Sequence, residues 1–274
     1  MDKEQMAKPA QPWEFRSKPS WQRLIVMLGG VTINFILALI IYIAMAYSYG
    51  SSSIPLDSIK DGFLINNPIL LELGFQTGDK ILSADGKKID TYSDLNRSII
   101  TASNYVIQRN EETLEIKLPI DFLGKLSTSK NNSLFELREP FIIQGVSEES
   151  LNKGYDIQQG DLITSLNGKE IKYSDQLIPL LKQNSNQTVE VELLRDSFRI
   201  QKTLNVNEDG KLGFNIGSTV ADKIDLGLLS FEETNYTLME SISFGSQKFS
   251  SVLGSYIEQF VAIFNPSTGA YKGL

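Results

Sequence analysis

Between Arg23 and Asp57 the chain carries no charge, and within that interval Leu24 to Tyr49 reads as one apolar run. As a helix rising about 1.5 Å per residue, such a run covers a hydrocarbon core of roughly 30 Å with some tilt. A buried helix of a water-soluble fold rarely continues so far without a charge. A cleaved leader fits poorly: the run is too long, starts too far in, and ends on bulky tyrosines before Gly50-Ser51-Ser52-Ser53 rather than on a small-residue cleavage site. One membrane span over 24–49 is therefore expected. Lys3, Lys8, Arg16, Lys18 and Arg23 precede it, and Asp57 is the first charge after it. This asymmetry predicts a cytoplasmic segment at 1–23 and an outer location from residue 51 onward. Trp13 and Trp21 lie near one boundary, and Tyr42, Tyr47 and Tyr49 approach the other, as interfacial aromatics do. Gly29, Gly30 and Asn34 are candidate helix-packing residues, because small residues admit a second helix and an amide in the membrane seeks a partner.

The remainder has an ordinary globular balance, with 41% hydrophobic and 22% charged residues in a total of 274. That length allows two small domains besides the span. The net charge of −7 argues against a nucleic-acid partner. With no cysteine, disulfides and thiolate metal sites are impossible. With no histidine, neither a Ser-His-Asp triad nor the usual zinc site can be built, and the commonest general base near neutral pH is missing. A Ser-Lys hydrolase stays formally open, although too few residues remain for its catalytic domain.

Beyond residue 57 the sequence repeats. Gly78-Asp79-Lys80-Ile81-Leu82-Ser83-Ala84-Asp85-Gly86-Lys87-Lys88-Ile89 aligns with Gly160-Asp161-Leu162-Ile163-Thr164-Ser165-Leu166-Asn167-Gly168-Lys169-Glu170-Ile171. Each copy gives a Gly-Asp turn, an alternating strand, an Asp-Gly or Asn-Gly hairpin turn and a second strand. Tyr92-Ser93-Asp94 and Tyr173-Ser174-Asp175 then open a helix, and Val189 to Leu193 alternates as a strand. This order, seen twice, resembles PDZ domains in the permuted arrangement of bacterial proteases. Asn67 to Gly74 is similar to the short helix before the Gly-Asp turn, and Pro140 to Val146 to the first strand of the second copy.

The resemblance implies an α+β chain: one span, PDZ-like domains at 57–130 and 139–218, and an amphipathic helical segment at 228–264. It also implies peptide binding by strand addition. Gly210-Lys211-Leu212-Gly213-Phe214 resembles the glycine-containing loop that receives a terminal carboxylate, with Leu177 and Leu181 on the helix opposite. Gly210, Leu212, Gly213, Phe214, Leu177 and Leu181 are thus the candidate peptide-binding residues. The first copy has Asn132 to Leu137 in place of that loop, without glycine, so it is expected to bind weakly or to act as a spacer or filter. Near the end, Phe249, Val252, Leu253, Tyr256, Ile257, Phe260, Val261 and Phe264 form one helical stripe stopped by Asn265-Pro266. It suits a helix packed on a domain or one lying at the membrane surface.

Phe15-Arg16-Ser17-Lys18-Pro19-Ser20-Trp21-Gln22-Arg23, followed by Gly29-Gly30-Val31-Thr32-Ile33-Asn34-Phe35, resembles the second membrane helix of site-2 intramembrane zinc proteases of the regulator-of-sigma type. There the pattern is Lys-Pro-x-Trp-Gln-Arg and then Gly-Pro-x-x-Asn-Phe; here Gly30-Val31 stands for Gly-Pro. Tandem PDZ domains and Phe264-Asn265-Pro266-Ser267 fit the same family. The resemblance implies a parent protease whose zinc is held by His-Glu-x-x-His on a preceding helix and by an aspartate on a later one. Neither motif occurs in this chain, which is expected to be an inner piece of a longer protein, inactive and without zinc on its own. The implied partners are the bilayer and single-pass membrane proteins such as anti-sigma factors or signal-peptide remnants. The implied place is the bacterial inner membrane, with the PDZ domains periplasmic. A single-pass PDZ scaffold without catalysis is the alternative.

Overall fold

The structure, a computed structural model, describes residues 11–129 and 133–269; Lys3, Lys8, Asn132 and the tail 270–274 lie outside the described residues. Helix α1 (Ser20–Tyr49) leads into β1 (Ser51–Ser53). Next come β2 (Phe63–Leu64), α2 (Pro68–Glu72), β3 (Lys80–Ala84), β4 (Lys87–Lys88), α3 (Tyr92–Ser98), β5 (Asn104–Arg109), β6 (Glu112–Lys117), α4 (Phe122–Thr128) and β7 (Glu136–Leu137). The second series is β8 (Ile143–Val146), β9 (Leu162–Leu166), β10 (Lys169–Glu170), α5 (Ser174–Gln183), β11 (Thr188–Arg195), β12 (Phe198–Asn205) and β13 (Phe214–Ile216). Then follow α6 (Val220–Asp225), β14 (Glu232–Thr234) and α7 (Leu238–Phe264). The chain forms two compact units: α1 and its flank with Glu233–Ile257, and Ser53–Glu232 with the chain from Glu258 onward.

In the first unit, α1 has a mean hydropathy of 2.6 over its most apolar stretch, none of which is buried against protein. Its length and composition suffice to cross a bilayer. The first half of α7 runs antiparallel along the second half of α1. Gly245 abuts the Ile43 backbone, and Phe249 meets the rings of Tyr42 and Phe35 edge-on at 6.0 and 6.1 Å. Thr237 and Glu240 cap α7 reciprocally: the Thr237 N–H donates to Glu240 Oε2 at 2.8 Å, and the Glu240 N–H to Thr237 Oγ1 at 3.4 Å. Tyr256, Ile257, Phe260, Val261 and Phe264, the later part of the stripe, stay exposed.

The second unit holds one fold written twice. Strand order is β4-β3-β5-β6 in one sheet and β10-β9-β11-β12 in the other, with β2 paired to β7 and β8 to β13. Both Asp85-Gly86 and Asn167-Gly168 have positive φ at the two turn positions, the conformation a two-residue hairpin demands. The Gly-Asp repeat has a physical cause. Asp79 is fully buried; it accepts the Gln76 N–H at 2.8 Å and both Arg109 Nε and Nη2 at 2.7 Å. Asp161 repeats this with Gln158 at 2.9 Å and Arg195 at 2.6 and 2.8 Å. The bond to Asp79 raises the Arg109 guanidinium above the usual arginine range, and Arg195 rises likewise beside Asp161.

The modules differ in their cores. Phe63, Phe75, Tyr105 and Phe135 cluster in the first, whereas the second is aliphatic around Ile143, Leu177, Val191 and Leu204. The first module runs on to Leu137, past the sequence-derived limit of 130, because β2 needs β7 as its partner. It also takes up Leu229, which arrives after the second module and is buried in the first module's core. The segment 228–264 is accordingly not helical throughout: helix begins at Leu238.

Candidate peptide-binding site

The loop between β12 and β13 is built around Asn207. Its side chain accepts the Lys211 N–H at 2.8 Å, and its own N–H donates to the Lys211 carbonyl at 2.9 Å. Gly210 and Gly213 stand at φ +73° and +75°, where L side chains are strained. Space is refused too: a Cβ on Gly210 would lie 2.7 Å from Lys182 Cα, and one on Gly213 2.6 Å from Ser150 Cβ. The Leu212 carbonyl accepts from Ser150 Oγ and from Asn152 Nδ2, both at 2.9 Å, and the Gly213 carbonyl accepts the Ser147 N–H at 2.9 Å. With these carbonyls held by the module, the Leu212 and Gly213 N–H groups make no hydrogen bond among the described residues. Consecutive N–H groups of this kind make a concavity suited to an anion. Beside it, β13 pairs with β8 on one edge, which leaves the other for strand addition.

Gly210, Leu212, Gly213 and Phe214 lie together on this loop and at the start of β13. Leu177 and Leu181 do not face a ligand: both are buried in the core, because the apolar stripe of α5 must close over the sheet. The apolar residues left exposed nearby are Ile178 on α5 and Ile216 on β13. Ser150 and Asn152 escape sequence reasoning. The signal was present, since aligning Gly74 with Gly154 sets Ser150 and Asn152 against Leu70 and Glu72. Gly29 and Gly30 have nothing within 4 Å of a Cβ position, and Asn34 is exposed; among the described residues a close approach of α7 to α1 falls at Gly245.

A polar clamp joins the two modules. The Asp61 carboxylate accepts from Tyr173 Oη at 2.7 Å and from Lys172, while Arg138 donates to the Asp61 carbonyl at 3.2 Å. Arg138 also donates to both carboxylate oxygens of Asp175, at 3.2 and 2.7 Å, and its guanidinium carbon lies 4.1 Å from the centre of the Tyr173 ring. Burial acts to raise the Asp61 carboxyl, but the bonds from Lys172 and Tyr173 and the nearby positive charges outweigh it and hold it below the usual carboxylate value. Burial, together with the Asp61 bond and charge, raises Tyr173. For a depressed carboxyl, the stabilisation is present above its unfolded value of about 3.9 and is lost as pH falls through the folded value. At neutral pH the modules should therefore melt together, and that coupling should fade as pH falls below about 3.9 and on through the lower folded value. Asp61→Ala should show separate melting at pH 7, read by calorimetry.

A span-length apolar helix followed by two PDZ-like modules defines a membrane-anchored PDZ protein. The family is equally plain: the chain belongs to Peptidase family M50, whose model matches residues 1–270. It is 32% identical over 108 residues to zinc metalloprotease RasP of Bacillus licheniformis, covering 39% of this chain and 23% of the relative. With regulator of sigma-W protease RasP of Bacillus subtilis it shares 29% over 109 residues, 38% of this chain and 25% of the relative. With metalloprotease MmpA of Caulobacter vibrioides it shares 27% over 106 residues, 37% and 26% respectively. The chain thus spans about a quarter of the length of these curated relatives. Among solved structures, the PDZ domain of an SdrC-like protein from Listeria innocua is 18% identical, with a TM-score of 0.26 and coverage of 30% of this chain and 97% of that one.

Proposed function

We propose that this chain is the substrate-handling part of a membrane-embedded zinc metalloprotease that cleaves single-pass membrane proteins within the bilayer. The observation that carries the reading is the family match over residues 1–270. The substrates are membrane proteins already trimmed outside the membrane, anti-sigma factors or signal-peptide remnants. The name of the sigma-W relative supports the former. The zinc of the family does not fit the residues present. The chain has no histidine or cysteine, and among the described residues no three acidic groups could hold a metal. Zinc and the cleavage step therefore belong to segments of the parent protein other than this one.

In this reading the N-terminal segment is cytoplasmic, and both modules sit on the outer face of the bacterial inner membrane. Reporter fusions after Ser53 and after Asn207 should both read periplasmic; a cytoplasmic reading at either reverses the topology. The second module receives the new C-terminus of a trimmed substrate: the Leu212 and Gly213 N–H groups bind its carboxylate and β13 pairs with its backbone. The clamp through Asp61 supports a filtering role as well, since modules held together reject bulky untrimmed domains. The test is titration of the whole chain in detergent micelles with peptides bearing free or amidated C-termini. Charge-assisted hydrogen bonds contribute about 1.5–3 kcal/mol, so amidation should weaken binding about tenfold or more. Equal binding of both peptides removes the carboxylate assignment.

A further inference from the structure

The first module contains an open cleft. Its walls are Tyr92, Asn96 and Ile99 on α3 and Phe135 and Glu136 at β7, with Leu126 of α4 at one end; its volume is about 330 Å³. The register of β2 with β7 shows which backbone groups face it. Phe63 spends its N–H on the Asp79 carbonyl and its own carbonyl on the Gly78 N–H. Its pair with Leu137 is therefore the one without hydrogen bonds, and the Leu64–Glu136 pair carries them. Leu137 in consequence turns its N–H and carbonyl away from β2, on the free strand edge next to the cleft-lining Glu136. The Phe135 carbonyl, two residues earlier, points the same way and is met there by the Tyr92 hydroxyl at 2.8 Å. A strand edge, an apolar floor and a helix wall are the parts that strand addition needs.

The charge pattern selects the ligand. No glycine occurs from 125 to 144, so the positive-φ pair that shapes the loop of the second module has no counterpart here. Among the described lining residues the single ionised side chain is Glu136. A terminal carboxylate placed there would meet an anion, whereas a cationic side chain would be attracted. We propose that the first module binds an extended internal segment of a polypeptide, apolar against Ile99 and Leu126, with a lysine or arginine beside Glu136. The two modules would then grip different parts of one substrate, a mid-chain strand in the first and the trimmed end in the second. That division of labour rests on the protease reading, but binding at the first module does not.

The experiment uses the whole chain in detergent micelles and three fluorescein-labelled twelve-residue peptides of alternating valine and threonine. Two are blocked at both ends and carry a central lysine or a central glutamate. The third is the lysine peptide with a free carboxylate. The blocked lysine peptide should bind about fivefold more tightly than the blocked glutamate one, as expected for a partly exposed charge pair. Glu136→Lys should invert that preference, and Leu126→Asp should weaken both peptides, with melting curves confirming the fold. The Leu137 amide should gain protection from hydrogen exchange when the blocked lysine peptide binds. Failure of both blocked peptides to bind overturns the proposal. So does a preference indifferent to Glu136→Lys, or protection that appears at Gly213 and not at Leu137. Binding of the free-carboxylate peptide at Gly213 in any of these cases would leave the reading of the second module standing.

Discussion

Asp79→Ala should cost the first module about 3 kcal/mol and lower its melting temperature by about 12 °C or more. The carboxylate is fully buried and receives three hydrogen bonds, two from Arg109 and one from the Gln76 backbone. Removing it strands a guanidinium against protein and leaves the turn N–H unpaired. The Arg109 side chain keeps 21% exposure, so water relieves part of the penalty and the lower end of the usual range applies. Replacing both partners, Asp79→Ala with Arg109→Met, should recover a good part of the loss, because no buried charge is then left alone. Chemical denaturation of the four members of this cycle measures the coupling. A single-mutant loss below about 1 kcal/mol would mean that the pair is solvated and holds little. Asp161→Ala should act in the same direction on the second module.

Gly245→Val should part α7 from α1. A Cβ at Gly245 would stand 2.7 Å from Ile43 Cα and 2.8 Å from Ile43 N, and backbone cannot yield as a side chain can. Overpacking of this kind costs about 1–3 kcal/mol, as much as a helix pair in a membrane commonly holds. The absence of cysteine makes the readout clean: a Tyr42→Cys, Phe249→Cys chain has one thiol pair, at positions whose rings lie 6.0 Å apart. Cross-linking by a short bis-maleimide should be extensive in that background and fall to a trace with Gly245→Val. Gly29→Val and Gly30→Val, which open onto free space, should leave it unchanged. Equal yields in all three would show that the helices do not pair through Gly245.

The doubled module was legible because its markers are local. Gly78-Asp79 and Gly160-Asp161, and the Asp-Gly and Asn-Gly turns, each force a backbone shape within three or four residues. What those aspartates bind was hidden, since Arg109 and Arg195 lie 30 and 34 residues further on and are brought back by strand pairing. The other hairpin turn of each module was equally obscure: Asn110-Glu111 and Asp196-Ser197 take positive φ at both positions without a glycine, so tertiary pairing overrides residue preference. Of the site, the glycine loop could be read from its residues. The burial of Leu177 and Leu181 could not, because an apolar stripe does not reveal whether it faces a core or a groove. The Thr237-x-x-Glu240 cap, by contrast, could have fixed the start of α7 from sequence alone.

The burial of Leu229 in the first core has a consequence for synthesis. The first module is finished by a residue that follows the whole of the second, so the second is in effect a long insertion closed by its host. As the chain emerges, the first module must wait through nearly a hundred residues between Leu137 and Leu229 with an apolar gap in its core. The second, continuous from β8 to β13, can fold meanwhile and shorten the effective loop. During this interval the uncovered core is open to misassociation, and it is closed by the seating of a short strap rather than by the folding of a domain. A truncation just before Leu228 would therefore leave the later module sound and the earlier one flawed.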